Sequence, residues 1–255
     1  MNIAVCAKTV VDVSEIKVNK STNKPVLEGI PKKISDIDRN AVEEAIRLKE
    51  KLGGKISVIT IGTPDSKEKM KELLAMGADE GVLIPPPEKN DYHLTSLLLA
   101  KAVEKMGNVD LVMCGEASID MFSGQIGPRI AGILDWPQLT YAFKVEAEAD
   151  KVKATRNMGD SMVVSESTYP ALITVTKEIN EPRLPSLMQI LGSASKPIHE
   201  WGHADLGISD LSPKVETVEL KGITMERKNV VFKDDIDEAV SELANRLAKD
   251  GVLGG

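Results

Sequence analysis

The sequence predicts an α/β protein: a parallel sheet with helices on both faces, an antiparallel extension at one edge and a C-terminal arm. Three observations carry this. Short apolar runs alternate with helix-period segments as far as Leu134. From Gln138 closely spaced strand-like runs replace that rhythm. After Pro213 the chain turns polar and ends in one amphipathic stretch.

Residues 3–7 (IAVCA) form an apolar run suited to a strand buried on both faces. The opening MNIAVCAKTV is too short and wrongly flanked for a secretory signal and reads as this strand. A polar loop follows, with Asn23, Lys24, Pro25 and Gly29 as turn residues. A helix is expected from Arg39 to Leu52, where Val42, Ala45, Ile46 and Leu52 fall near one face and Gly53-Gly54 ends it. Residues 55–61 (KISVITI) read as a second strand. Ser66 caps a helix through Met76 with Met70, Leu73 and Leu74 as its stripe, closed by Gly77. Residues 80–84 make a third strand, which Pro85–Pro87 cannot continue. A helix from Leu94 to Met106 leads to a fourth strand, 109–114, then a loop, GEASIDMFSG, and a helix, QIGPRIAGIL.

The runs LTYAFKVEAE, KVKATRN, MVVSES and ALITVT read as antiparallel hairpins extending one sheet edge. Residues 181–213, punctuated by Pro182, Pro185, Pro197 and Pro213, predict an extended surface segment interrupted by a short helix, SLMQIL. VETVEL is strand-like. A final helix runs from Asp234 or Asp235 to Lys249, with Ile236, Ala239, Val240, Leu243 and Leu247 as its stripe. The chain thus divides into an α/β domain, 1–212, and an arm, 213–255.

The 255 residues carry a net charge of −7, which argues against nucleic acid as the partner, since phosphate backbones need a basic face. Two cysteines, Cys6 and Cys114, cannot form a CxxC motif and read as reduced core residues of a cytoplasmic protein. No apolar run is long enough to span a membrane. His93, His199 and His203 fall in no metal-ligand spacing, and no nucleophile elbow or Cys–His constellation appears. Neither catalytic residues nor a metal site are expected.

There is no GxGxxG and no P-loop. Ligands in this fold class nevertheless bind at the carboxyl ends of parallel strands, where strand order reverses. The segment Gly115 to Pro128 is such a loop. It enters a helix whose first N–H groups are unsatisfied and carry partial positive charge, with Ser123 and Gln125 as side-chain donors for a phosphate. The plainer reading is a strand–helix loop in which Ser123 only caps the helix.

Several segments in order resemble the beta subunit of electron-transfer flavoproteins, the family that includes the FixA proteins. They are AVEEAIRLKEK (41–51), LLAMGADEG (73–81), DLVMCGEASID (110–120), QIG (125–127), LDWPQLTYA (134–142) and YPALITVTKEINEPRLPSL (169–187), spanning roughly residues 1–210. The resemblance implies a Rossmann-like, adenine nucleotide alpha-hydrolase-like fold and a heterodimer. Its larger alpha subunit carries a redox-active FAD, and the pair shuttles electrons between dehydrogenases, such as the acyl-CoA dehydrogenase type, and an acceptor. The beta subunit is an electron-carrier subunit, not an enzyme. It holds AMP, or a second FAD where the complex bifurcates electrons from NADH. Carried over by position, the nucleotide meets Cys6, Ala7, Ile61, Gly62, Asp120, Ser123, Gly124, Gln125, Ile126 and Gly127. The family's docking loop for a partner dehydrogenase falls on Leu184, Leu187, Met188 and Ile190, with Leu187 as the anchor.

The family's Asn-Pro pair before the AVEEA helix is here Ile34-Ser35-Asp36-Ile37-Asp38, and its DGDT run is Asp120-Met121-Phe122-Ser123-Gly124. Gly127-Pro128 resembles bifurcating members, while Asp135-Trp136-Pro137-Gln138 resembles ordinary ones; AMP is favoured. A regulatory module of the universal-stress-protein type would use the same fold but have no use for the NEPR loop. An ATP pyrophosphatase-type ligase would need an SGG-type loop, which Ala7–Val11 lacks.

Overall fold

A computed structural model describes residues 1–222, 229–233 and 235–252. It divides into two compact units, Met1–Lys17 with Pro25–Leu220, and Val18–Lys24 with Lys221–Gly255.

In the first unit the elements run β1 (Asn2–Cys6), α1 (Asp36–Leu52), β2 (Lys55–Ile61), α2 (Ser66–Met76), β3 (Glu80–Ile84), α3 (Tyr92–Met106), β4 (Leu111–Gly115) and α4 (Ile126–Leu134). They continue through β5 (Gln138–Ala147), β6 (Lys151–Asn157), β7 (Met162–Thr168), β8 (Ala171–Val175), α5 (Leu187–Ser193) and β9 (Ile198–Glu200). The nine strands form one sheet in the order β7-β6-β5-β8-β4-β1-β2-β3-β9. All neighbours from β5 to β9 pair in parallel, and β5-β6-β7 is the antiparallel extension. The chain lays β1, β2 and β3 in one direction and then returns to place β4 on the other side of β1. The order therefore reverses between β1 and β4, where this architecture opens a crevice.

Alternation along β1 builds a core on each face. Ile3 and Val5 join Val42, Ile46, Leu73 and Leu74 from α1 and α2. Ala4 and Cys6 join Leu98, Val103, Ile130 and Ala131 from α3 and α4. With few aromatics available, these aliphatic side chains fill both layers.

Several expectations change. The polar loop after β1 carries short strands: Thr9–Val11 pairs antiparallel with Lys32–Ile34, and Lys24 and Pro25, expected as turn residues, lie in the strand Lys24–Val26. ALITVT is not part of the antiparallel edge: β8 lies inside the sheet, parallel to both β4 and β5. All five of its residues are buried, as suits a strand covered on both faces rather than an alternating edge strand. VETVEL is not a strand; it is exposed, and the N–H groups of Lys214 and Val215 just before and at its start bond the Asp91 carboxylate instead of a neighbouring strand. α1 starts a turn early, at Asp36, because acidic residues suit the positive end of a helix.

In the second unit the last helix, α6, spans Ile236–Lys249 and is capped by Asp235, which accepts from Asp237 N–H at 2.9 Å. Asp234, the other expected start, lies outside the described residues. Ile236, Val240 and Leu243 on its apolar stripe are exposed. Among the described residues no helix is long and apolar enough to cross a membrane.

Candidate functional site

At the β1/β4 reversal lies a cavity of about 350 Å³. Its floor is Cys6 and Cys114, which face each other in register on β1 and β4. Ala7, Ile61 and Leu99 add apolar wall, and Ser123 to Gly127 close one side. Of the ten residues carried over for the nucleotide, eight line this cavity: Cys6, Ala7, Ile61, Ser123, Gly124, Gln125, Ile126 and Gly127. Gly62 and Asp120 are not among the lining residues. Gly62 makes the tight exit from β2, since a Cβ there would sit 2.3 Å from Ser66 Oγ. Asp120 turns to Lys8, whose ammonium lies 2.9 and 2.6 Å from its two oxygens.

The start of α4 is suited to an anion. Gln125 precedes the helix without a side-chain capping bond. Its amide oxygen instead accepts from Arg129 Nε and Nη2 at 3.0 and 2.9 Å. Ser123 does not cap the helix either, so the N–H groups of Ile126 and Gly127 stand at the cavity wall as donors, and Pro128 has none to offer. Gly127 has no room for a side chain: a Cβ would lie 2.4 Å from Thr174 Cγ2 on β8. That close approach seats the helix start over the sheet. Met121 lines the cavity edge, whereas Phe122 points into solvent.

Asp38 was not singled out as a ligand residue. It sits in the first turn of α1, is 6% exposed, and lines the cavity. Its oxygens accept from Lys8 N–H at 2.8 Å and Gly115 N–H at 3.3 Å, tying the ends of β1 and β4 to the helix. Ser35 extends the tie: its N–H donates to Lys8 O at 2.9 Å, and its hydroxyl accepts from Ile119 N–H at 3.4 Å. Burial pushes the Asp38 carboxyl up to about 7, against the pull of those two N–H groups and of Lys8. The sequence signal for it was an acid two residues into a helix that follows a strand-end loop. Glu116 and Ser118, within the Gly115–Pro128 loop, also line the cavity, as do Asn90, Asp91, Tyr92 and Thr95, which carried no sequence signal.

The NEPR segment forms a second constellation. Asn180 and Asn40 exchange hydrogen bonds: Asn40 Nδ2 donates to Asn180 O at 2.7 Å, and Asn180 Nδ2 donates to Asn40 O at 3.0 Å. Arg183 bridges Glu43 at 2.8 Å and Glu50 at 2.6 Å along α1. From this clamp the chain leads to α5, whose capping box pairs Ser186 with Gln189. Leu184, Leu187, Met188 and Ile190 are 85%, 70%, 78% and 50% exposed. The helix exists, yet it does not bury these residues in the described structure.

The family model described as "Electron transfer flavoprotein domain" matches residues 26–206. The chain is 39% identical to the electron transfer flavoprotein subunit beta of Thermoanaerobacterium thermosaccharolyticum, over 99% of this chain and 100% of that one. It is 38% identical to the caffeyl-CoA reductase-Etf complex subunit CarD of Acetobacterium woodii, over 82% and 81%. It is 32% identical to protein FixA of Sinorhizobium fredii, over 97% and 92%. With a cavity at the strand reversal, a clamped loop ending in exposed leucines, and matches of this length, the chain belongs to the electron transfer flavoprotein family, among its beta subunits.

Proposed function

We propose that this chain binds an adenine mononucleotide, AMP, in the β1/β4 cavity and joins a larger FAD-carrying alpha subunit as an electron carrier for dehydrogenases. The observation that carries the reading is the α4 start: two free backbone donors, no side-chain cap and a glycine packed tightly on β8, all facing a cavity of about 350 Å³. That volume lies near the lower end for small-molecule sites and suits a mononucleotide better than a dinucleotide. The helix start would hold the phosphate, and the apolar wall of Ala7, Ile61 and Leu99 would take the base. Cys6, Gln125 and Ile126 contribute surface; Gly62 and Asp120 act at one remove, by shaping the β2 exit and engaging Lys8. The chain's own part is to bind and scaffold; when bound to the alpha subunit, FAD supplies the redox chemistry.

A second FAD is the competing occupant, favoured by Gly127-Pro128 and the likeness to a subunit of the caffeyl-CoA reductase-Etf complex. Denaturing the purified complex and identifying the released nucleotides separates the two. One FAD and one AMP per heterodimer supports the proposal; two FAD and no AMP overturns it in favour of a bifurcating complex.

Leu184, Leu187, Met188 and Ile190 are proposed as the dehydrogenase docking surface. A small exposed apolar cluster on a clamped base suits a transient partner that must release quickly.

A further inference from the structure

The cavity's charge is opposite to what a nucleotide needs. Among the described residues Lys8 is its only basic lining residue, against Asp38, Asp91 and Glu116. The Lys8 ammonium is already engaged by Asp120. Asp91 is ionised: although burial opposes it, the N–H groups of Leu94, Val215 and Lys214 hold it below the usual carboxylate value. Glu116 is pushed up by burial and by repulsion from Glu178. The α4 start supplies partial positive charge, but a phosphate dianion entering this space still meets several acids.

We propose that binding of the nucleotide takes up a proton, held by Asp38, so that affinity weakens as pH rises above neutrality; this rests on the nucleotide reading above. Asp38 is the buried lining acid without a cationic hydrogen-bond partner, so it is the one an added anion neutralises most readily. The groups facing it are Lys8 and Cys6 from β1 and its exit, and Cys114, the Gly115 N–H and Asp120 from β4 and its loop. Lys8 favours the ionised form and Asp120 opposes it; on α1 itself, Asp36 pairs with Lys33 at 3.2 Å. Burial, against the pull of the two N–H groups and Lys8, already brings Asp38 up to about 7, and a nearby phosphate moves it in the same direction. Lys8 N–H and Gly115 N–H bond different Asp38 oxygens, so protonating one oxygen leaves the other as an unaltered acceptor for one of the two strand ends.

The test uses the heterodimer with its nucleotide exchanged out, titrated calorimetrically with AMP and with adenosine between about pH 7 and about pH 8.5. In that range the AMP phosphate, with its second ionisation near pH 6, is already a dianion. AMP affinity is expected to fall by up to about tenfold per pH unit, with proton uptake seen in buffers of differing ionisation enthalpy. Adenosine, which is uncharged, gives a flat profile. Asp38→Asn flattens the AMP profile, and Lys8→Met moves its midpoint to higher pH by removing a cation that favours the ionised form. A flat wild-type AMP curve, absent proton uptake, or an Asp38→Asn variant that keeps the slope overturns the coupling. No saturable AMP binding at any pH sinks the nucleotide reading and the coupling with it.

Discussion

Two turns of α1 bury acids in opposite ways. Glu43, 3% exposed at its side chain, would be pushed up by burial, but hydrogen bonds from Arg183 and Arg47 outweigh this and leave it below the usual glutamate value. Asp38, one turn earlier, has only backbone N–H partners, and burial wins. The difference separates a structural clamp from a poised site. An acid met by guanidinium groups stays ionised and fixes two segments together. An acid met by N–H groups at the lip of a cavity responds to whatever charge arrives.

The largest expected effect sharpens that contrast through pH. Because the Asp38 value is raised on folding, the native state holds a proton there that the unfolded chain releases above about pH 4. Its contribution to stability is therefore present at low pH and lost between about pH 4 and about pH 7, by up to roughly 4 kcal/mol. Urea unfolding across that window should show a falling component that Asp38→Asn lacks; identical slopes would remove Asp38 from the account. Next, Arg183→Met should cost about 3 kcal/mol, since it strands Glu43 in a buried place with Arg47 as its remaining cation. An unfolding midpoint unchanged from wild type would break the clamp side of the comparison. Gly127→Ala should cost about 2 kcal/mol through overpacking against Thr174 and should lower the nucleotide content of the purified complex. Nucleotide content at the wild-type level would mean α4 does not hold the phosphate. Last, Leu187→Ala should change stability by less than about 0.5 kcal/mol, because the side chain is exposed. It should slow reduction by the partner dehydrogenase while leaving the flavin spectrum intact; lost flavin would make Leu187 structural.

Much of the first half was legible because its signals are local. The bounds of β2 and the end of α2 follow from the run KISVITI and Gly77, and α4 follows from QIGPRIAGIL; Ser66, expected as the cap of α2, is instead its first residue, preceded by Asp65. β8 was misplaced because a short apolar run looks the same whether its neighbours run parallel or antiparallel. Only its burial on both faces reveals its place between β4 and β5. β9 was not read at all: three residues after Pro197 carry no periodicity, and its strand character comes from pairing with β3. The clamp residues were visible as the string NEPR, but their partners Asn40, Glu43 and Glu50 lie about 140 residues away on a helix read only for its apolar face.

By itself the sequence determined the alternation of strands and helices as far as Leu134, the α4 start with its glycine, and the family, since each rests on neighbours along the chain. Tertiary structure alone decided where the strand order reverses, and hence that Cys6, Asp38, Cys114 and Gly127 share one cavity. It also decided that Asp38, unlike Glu43, is met by backbone N–H groups and no guanidinium. A residue's electrostatic character depends on which distant groups surround it and how much water they exclude, and neither is encoded within any one segment.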